Sequence, residues 1–248
     1  MSLRYTRINV GFLSIVCLAS LQSAVSAVRA QQKRQAEGAA RAVVIDERLA
    51  ALRAAPDLAA PLLQRMSRGR SVLIKGARRS ADNVTFYRVM VTRRTQGWLQ
   101  AEAVASLVRN GDDQRVLQLI RSSEGFDRTV RARIFLDLFS RSPLRPAVLL
   151  LYGEAAEEAA ARLSRDAARR LDEREMAAGG APVFSYFMNY NGLDRYRRQG
   201  VTFTFDRGAK RFHYDGESWR EIVRRYPRSP EAVEARKRLE SLAATAKR

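Results

Sequence analysis

Phe86-Tyr87-Arg88-Val89-Met90-Val91, a polar turn from Thr92 to Gln96, and then Gly97-Trp98-Leu99-Gln100 decide how this chain is read. In the first run Tyr87, Val89 and Val91 fall on one face and Phe86, Arg88 and Met90 on the other. That alternation is what a half-buried strand requires, because successive side chains of a strand point to opposite sides of a sheet. Toward the N-terminus, Asp82-Asn83 is a turn signal and Val72-Leu73-Ile74, behind Gly69, is another β-prone run. Leu52-Arg53-Ala54-Ala55-Pro56 ends in an extended X-Pro step, and Ala42 to Ile45 is a further short β-prone run. Several short strands at close turn spacing argue for a small barrel or sandwich.

Taken in order, Leu52 to Pro56, Gly69 with Val72, Phe86-Tyr87-Arg88-Val89 and Gly97-Trp98-Leu99 resemble a bacterial SH3 domain over Arg41 to Leu107, about a quarter of the chain. The resemblance implies a small barrel that accompanies cell-wall enzymes and binds peptidoglycan or peptides. The loop after Pro56 departs from that pattern. Leu58, Leu62, Leu63 and Met66 make it unusually apolar, so it is expected to pack against something. The candidate ligand surface is Arg53, Phe86, Tyr87, Arg88 and Trp98. Rings beside guanidinium groups suit peptides or sugars, by stacking and by bidentate hydrogen bonds. The competing reading places Tyr87 and Trp98 in the barrel core.

Beyond Arg109 the periodicity changes. Asn110-Gly111-Asp112 is a turn into a short helix carrying Val116, Leu117, Leu119 and Ile120, and Val130, Ile134 and Leu138 mark a second helix. Ser142-Pro143 introduces a third, with Ala156, Ala160, Leu163, Ala167 and Leu171 as its stripe and Glu158–Arg162 and Asp166–Arg170 as expected ion pairs. Ala177 to Pro182 is the clearest break, so the expected divisions are 108–178 and 179–248. Val201 to Phe205 and Arg211 to Tyr214 read as a hairpin around Asp206-Arg207-Gly208. Asp215 is a candidate cap for the following helix, and Ser229 with Pro230 for the last one. The run Trp219 to Ala232 resembles one helix pair of tetratricopeptide-like envelope proteins, through its Tyr226-Pro227-Arg228-Ser229-Pro230 turn. A lone repeat does not bury its own face. Trp219 and Tyr226 are therefore candidates for docking a protein partner, the alternative being that they pack against Ala235 and Leu239.

The fold expected from sequence is α+β, a small SH3-like β-barrel followed by an α-helical, tetratricopeptide-like region. Residues 1–30 read as a signal peptide. Arg4 and Arg7 precede the apolar run Val10 to Leu21, and Val25-Ser26-Ala27 or Val28-Arg29-Ala30 is the expected cleavage site. Residues 31–40 then form a linker. The expected compartment is periplasmic or extracellular, with no transmembrane span after cleavage.

Cys17 is the one cysteine and lies in the leader, so the mature chain has no disulfide, thiolate metal site or cysteine nucleophile. This removes a cysteine–histidine wall peptidase, and with His213 the one histidine no zinc site assembles. There is no phosphate-cradling glycine motif. Glu154, Glu157 and Glu158, like Asp172, Glu173 and Glu175, read as ion-paired helix faces rather than a glycosidase pair. No catalytic residue, metal or cofactor is expected, and the function expected is binding and scaffolding in the cell envelope. Lys and Arg number 45 against 26 Asp and Glu, a net charge of +19. The alternative function is therefore electrostatic binding of anionic polymers, with nucleic acid a less favoured partner than wall polymer, peptide or an envelope protein.

Overall fold

The computed structural model describes residues 40–245. The expected signal peptide, its cleavage sites and most of the linker lie outside the described residues. Ala40 already belongs to the first strand.

The chain is α+β, a seven-stranded antiparallel sheet followed by helices. The strands are β1 (Ala40–Val44), β2 (Ala51–Arg53), β3 (Leu62–Arg65), β4 (Ser71–Arg79), β5 (Thr85–Met90), β6 (Gln96–Gln100) and β7 (Val104–Ser106). They lie in the order β3-β2-β6-β5-β4-β1-β7. The alternation read in β5 holds. Tyr87 opposes Leu99 and Val89 opposes Gly97, so these four share a face. Ala42, Val44, Leu52, Val72, Ile74, Val89, Leu99 and Val104 join in one buried core, drawn from six strands. Gly97 is required where β2 crosses β6, because a Cβ there would lie 2.8 Å from both the Arg53 carbonyl oxygen and Leu52 Cγ.

The outer strands β3 and β7 pair only inward, so the sheet is not a closed barrel. Its two edges are treated differently. At β7 the buried Asp112 accepts the Ser106 N–H at 2.8 Å, and Arg115 donates to the carbonyls of Val104 and Glu102. At β3 all four residues are exposed. The apolar loop expected to pack is thus mostly uncovered. Met66 is buried, while Leu58, Leu62 and Leu63 are 43%, 49% and 53% exposed.

The helices are α1 (Asp112–Arg121), α2 (Gly125–Leu138), α3 (Arg145–Arg170), α4 (Glu173–Gly179), α5 (Val183–Met188), α6 (Asp194–Arg197), α7 (Glu217–Arg225) and α8 (Glu231–Thr245). The hairpin β8 (Phe203–Asp206) and β9 (Arg211–Tyr214) lies between α6 and α7. Asp206 closes its turn by accepting the N–H groups of Gly208 and Ala209. Helix α3 is the spine, in contact with α2, β9, α7 and α8. Ala155, Ala156, Ala159, Ala160 and Ala167 on it are fully buried and let neighbours approach closely. The core built on it runs across the break at 180–182, uniting Tyr152 with Phe212, Tyr214 and Trp219.

Some local expectations change. Glu158 reaches Arg128 rather than Arg162, whose guanidinium meets the Tyr196 hydroxyl, and Asp166 pairs with Arg169. Asp215 does accept the Glu217 N–H, but the Ser229 hydroxyl is buried without a partner and does not cap α8. Among the described residues no helix is long and apolar enough to cross a membrane.

Candidate functional site

The sheet register gathers most of the candidate ligand residues. Arg53 opposes Trp98, Trp98 opposes Arg88, and Arg88 opposes Gly76. These form one cross-strand row on the face away from the sheet core, where directly opposed side chains are close enough to interact. Gly76 leaves the end of the row open, since a Cβ there would meet nothing within 4 Å. Phe86 lies on the same side, opposite Gln100, but is only 1% exposed. It shares a cavity of about 150 Å³ with Arg53, Leu58 and Arg65. Tyr87 points the other way and packs against the sheet core.

Arg78, not among the candidates, belongs to this face. Its guanidinium carbon lies 5.7 Å from the centroid of the half-buried Trp98 ring. A cation over an indole face is held by the quadrupole of the ring. The sequence carried no signal for it. Arg78 is distant from Trp98 along the chain, and the bulge between Ile74 and Gly76 sets its register.

Arg53, Arg78 and Arg88 join no salt bridge among the described residues, so the face is a cationic patch around one indole. Arg53 is the least free of them, donating to the Ala60 carbonyl at 2.7 Å and tying the 54–61 loop to β2. Chemically, such a face offers a stacking surface and guanidinium donors for carboxylates.

Trp219 is placed otherwise than a docking role requires. It is 1% exposed, stands edge-on to Tyr214 at 5.3 Å and abuts Gly153 of α3. Tyr226 is half-buried and packs on the same core. Both sit against the helical core, where α3 supplies the surface that a lone helix pair lacks and Trp219 meets Tyr214 and Gly153.

One polar pair escaped notice in the sequence. His213 Nδ1 lies 3.1 Å from Glu157 Oε1, while Glu157 Oε2 accepts the Tyr214 N–H at 2.7 Å. Glu154 and Glu158 are ion-paired, but with Arg238 and Arg128 on other helices rather than along their own. A carboxylate orients an imidazole in many general bases. Here His213 Nε2 is buried and has no hydrogen-bond partner among the described residues. The pair ties β9 to the spine. Among the described residues no group of three or more His, Cys, Asp or Glu can hold a metal ion.

Comparison with family models, curated proteins and solved structures returned no match.

Proposed function

We propose that this is an exported, non-catalytic protein of the bacterial cell envelope. In this reading an SH3-like sheet binds a wall polymer or peptide, and the tetratricopeptide-like helical half serves as a scaffold for a protein partner. The observation that carries it is the cross-strand row Arg53–Trp98–Arg88, with Arg78 against the indole and, among the described residues, no carboxylate paired to any of the three arginines. A ligand with both a stackable ring or chain and carboxylates meets that face on both counts. The test is cosedimentation of the mature chain with purified peptidoglycan. Trp98→Ala and Arg88→Ala are each expected to weaken binding by about tenfold, or 1.4 kcal/mol. Parent-like binding by both variants removes the site.

A second reading, binding of anionic polymers by charge, rests on the net charge of +19. Salt separates the two. Counterion release makes polyanion binding fall steeply as salt rises, whereas a stacking site changes far less. Export has its own check. Intact mass of the native protein is expected to show a chain beginning near Gln31, and an uncleaved cytosolic chain overturns it.

A further inference from the structure

A groove of about 910 Å³ runs between the sheet and the helices, on a different face from Trp98. Its floor is apolar, with Val43 from β1 and Val130, Ile134 and Leu138 from α2. At its lip stand Leu107 and Val108, in the link between β7 and α1. They are 68% and 64% exposed, the two most exposed large apolar side chains among the described residues. Exposed apolar surface rimmed by polar groups marks an interaction site.

The rim is cationic. Arg41, Arg68, Arg133 and Arg198 line the groove and Asp137 is its one acidic residue. Asp137 pairs with Arg133 at 3.0 Å, and Arg68 is held by Asp127 at 2.6 Å. Arg41 makes a single side-chain hydrogen bond, to Ser71 Oγ, and the Arg198 guanidinium has no hydrogen bond or salt bridge among the described residues. Two arginine charges on the rim are thus uncompensated. The four arginines come from separate segments, β1, the turn before β4, α2 and the end of α6. One phosphate or carboxylate headgroup needs its donors gathered at a point, whereas charges distributed around an apolar floor match a chain bearing several acidic groups between apolar ones.

We infer that this groove binds an acidic segment of a protein partner, its leucine-type side chains on the floor and its carboxylates on Arg41 and Arg198. The inference does not depend on the sheet-face reading.

The test uses the mature full chain and a labelled synthetic peptide alternating glutamate with leucine, read by fluorescence anisotropy. A poly-glutamate peptide of equal charge and phosphatidylglycerol vesicles serve as the other arms. The Glu/Leu peptide is expected to bind, and Leu107→Asp/Val108→Asp and Arg41→Glu/Arg198→Glu are each expected to weaken it by at least about tenfold. These positions are exposed, so melting curves are expected to match the parent. Leu62→Lys, on the exposed strand β3 and outside the groove, is expected to leave peptide affinity unchanged. A matching peptide with lysine for glutamate is expected to bind Arg41→Glu/Arg198→Glu better than it binds the parent. Equal binding of poly-glutamate, affinity unmoved by either double variant, or binding of the vesicles alone overturns the proposal.

Discussion

Gly153 shows how one small residue sets the meeting of two elements. It lies mid-helix in α3, where glycine is a poor helix former, yet a Cβ there would collide with the Trp219 indole nitrogen and lie 2.7 Å from Ser218 Oγ. Gly153→Ala therefore gains helix propensity and loses more in packing. A net destabilisation of about 1–3 kcal/mol is expected, measurable by urea unfolding. Trp219→Ala is expected to cost about 3–5 kcal/mol, the range for deleting a buried aromatic side chain. An unchanged melting temperature would contradict its place in the core. Neighbouring Tyr214 supplies a pH signature. Burial pushes its phenol up to about 12 and pushes Tyr152 above the usual tyrosine range as well. A raised folded value favours the protonated form, so the stability is complete below the unfolded value of about 10 and is lost as pH rises toward 12. For Tyr214 that loss is about 2–3 kcal/mol. Tyr214→Phe is expected to flatten the alkaline limb of a stability–pH profile, and an unaltered limb would refute the assignment.

At the scale of elements, what was legible depended on whether an element has a period of its own. Strands β4, β5 and β6 and helices α2 and α3 carry alternating or helical stripes, and each was visible in sequence. β3 carries no such signal, because Leu62 and Leu63 are consecutive apolar residues and the strand, exposed throughout, has no alternation. β7 was missed for the opposite reason, since Val104, Ala105 and Ser106 are all buried and small, and α1 rather than periodicity holds them in place. The ligand face was half legible. The residue types in β2, β5 and β6 pointed to it, and the alternation of β5 already set Tyr87 on the Val89 face, but the pairings that place Arg53 and Arg78 beside Trp98 are long-range. Asp112 carries a testable weight here. Asp112→Ala removes the acceptor of the Ser106 N–H and the carboxylate paired with Arg115, so a loss of about 3 kcal/mol is expected. Leu62→Lys on exposed β3 is expected to change stability by less than about 0.5 kcal/mol. Thermal melts of the two variants against the parent check both.

At the scale of the whole molecule the sheet and the helices are tied by polar contacts, one buried and one at the surface. Arg131 of α2 is 6% exposed and donates to the Ile45 carbonyl at 3.2 Å and to Ser123 Oγ at 2.6 Å. Arg68 crosses from the sheet to Asp127, whose carboxyl it holds below the usual carboxylate range. Ile45 and Ala105, from the sheet half, belong to the helical core. Such ties predict one cooperative transition rather than two. The two tryptophans make this measurable, one in each half. In Trp219→Phe, the emission of Trp98 reports the sheet and the far-ultraviolet helical signal reports the rest. Coincident unfolding curves are expected, and separated midpoints would show independent units.

The unequal treatment of the sheet edges reaches beyond a single copy. Strand pairing between molecules needs an unoccupied edge on each. In the seven-stranded sheet the β7 side is closed by Asp112 and Arg115 of the chain itself, which leaves β3 as the open edge of that sheet among the described residues. Two copies joined across β3 would each use the one open edge of that sheet, leaving nothing on it for a third. Self-association by strand addition to this sheet therefore terminates at a two-fold pair.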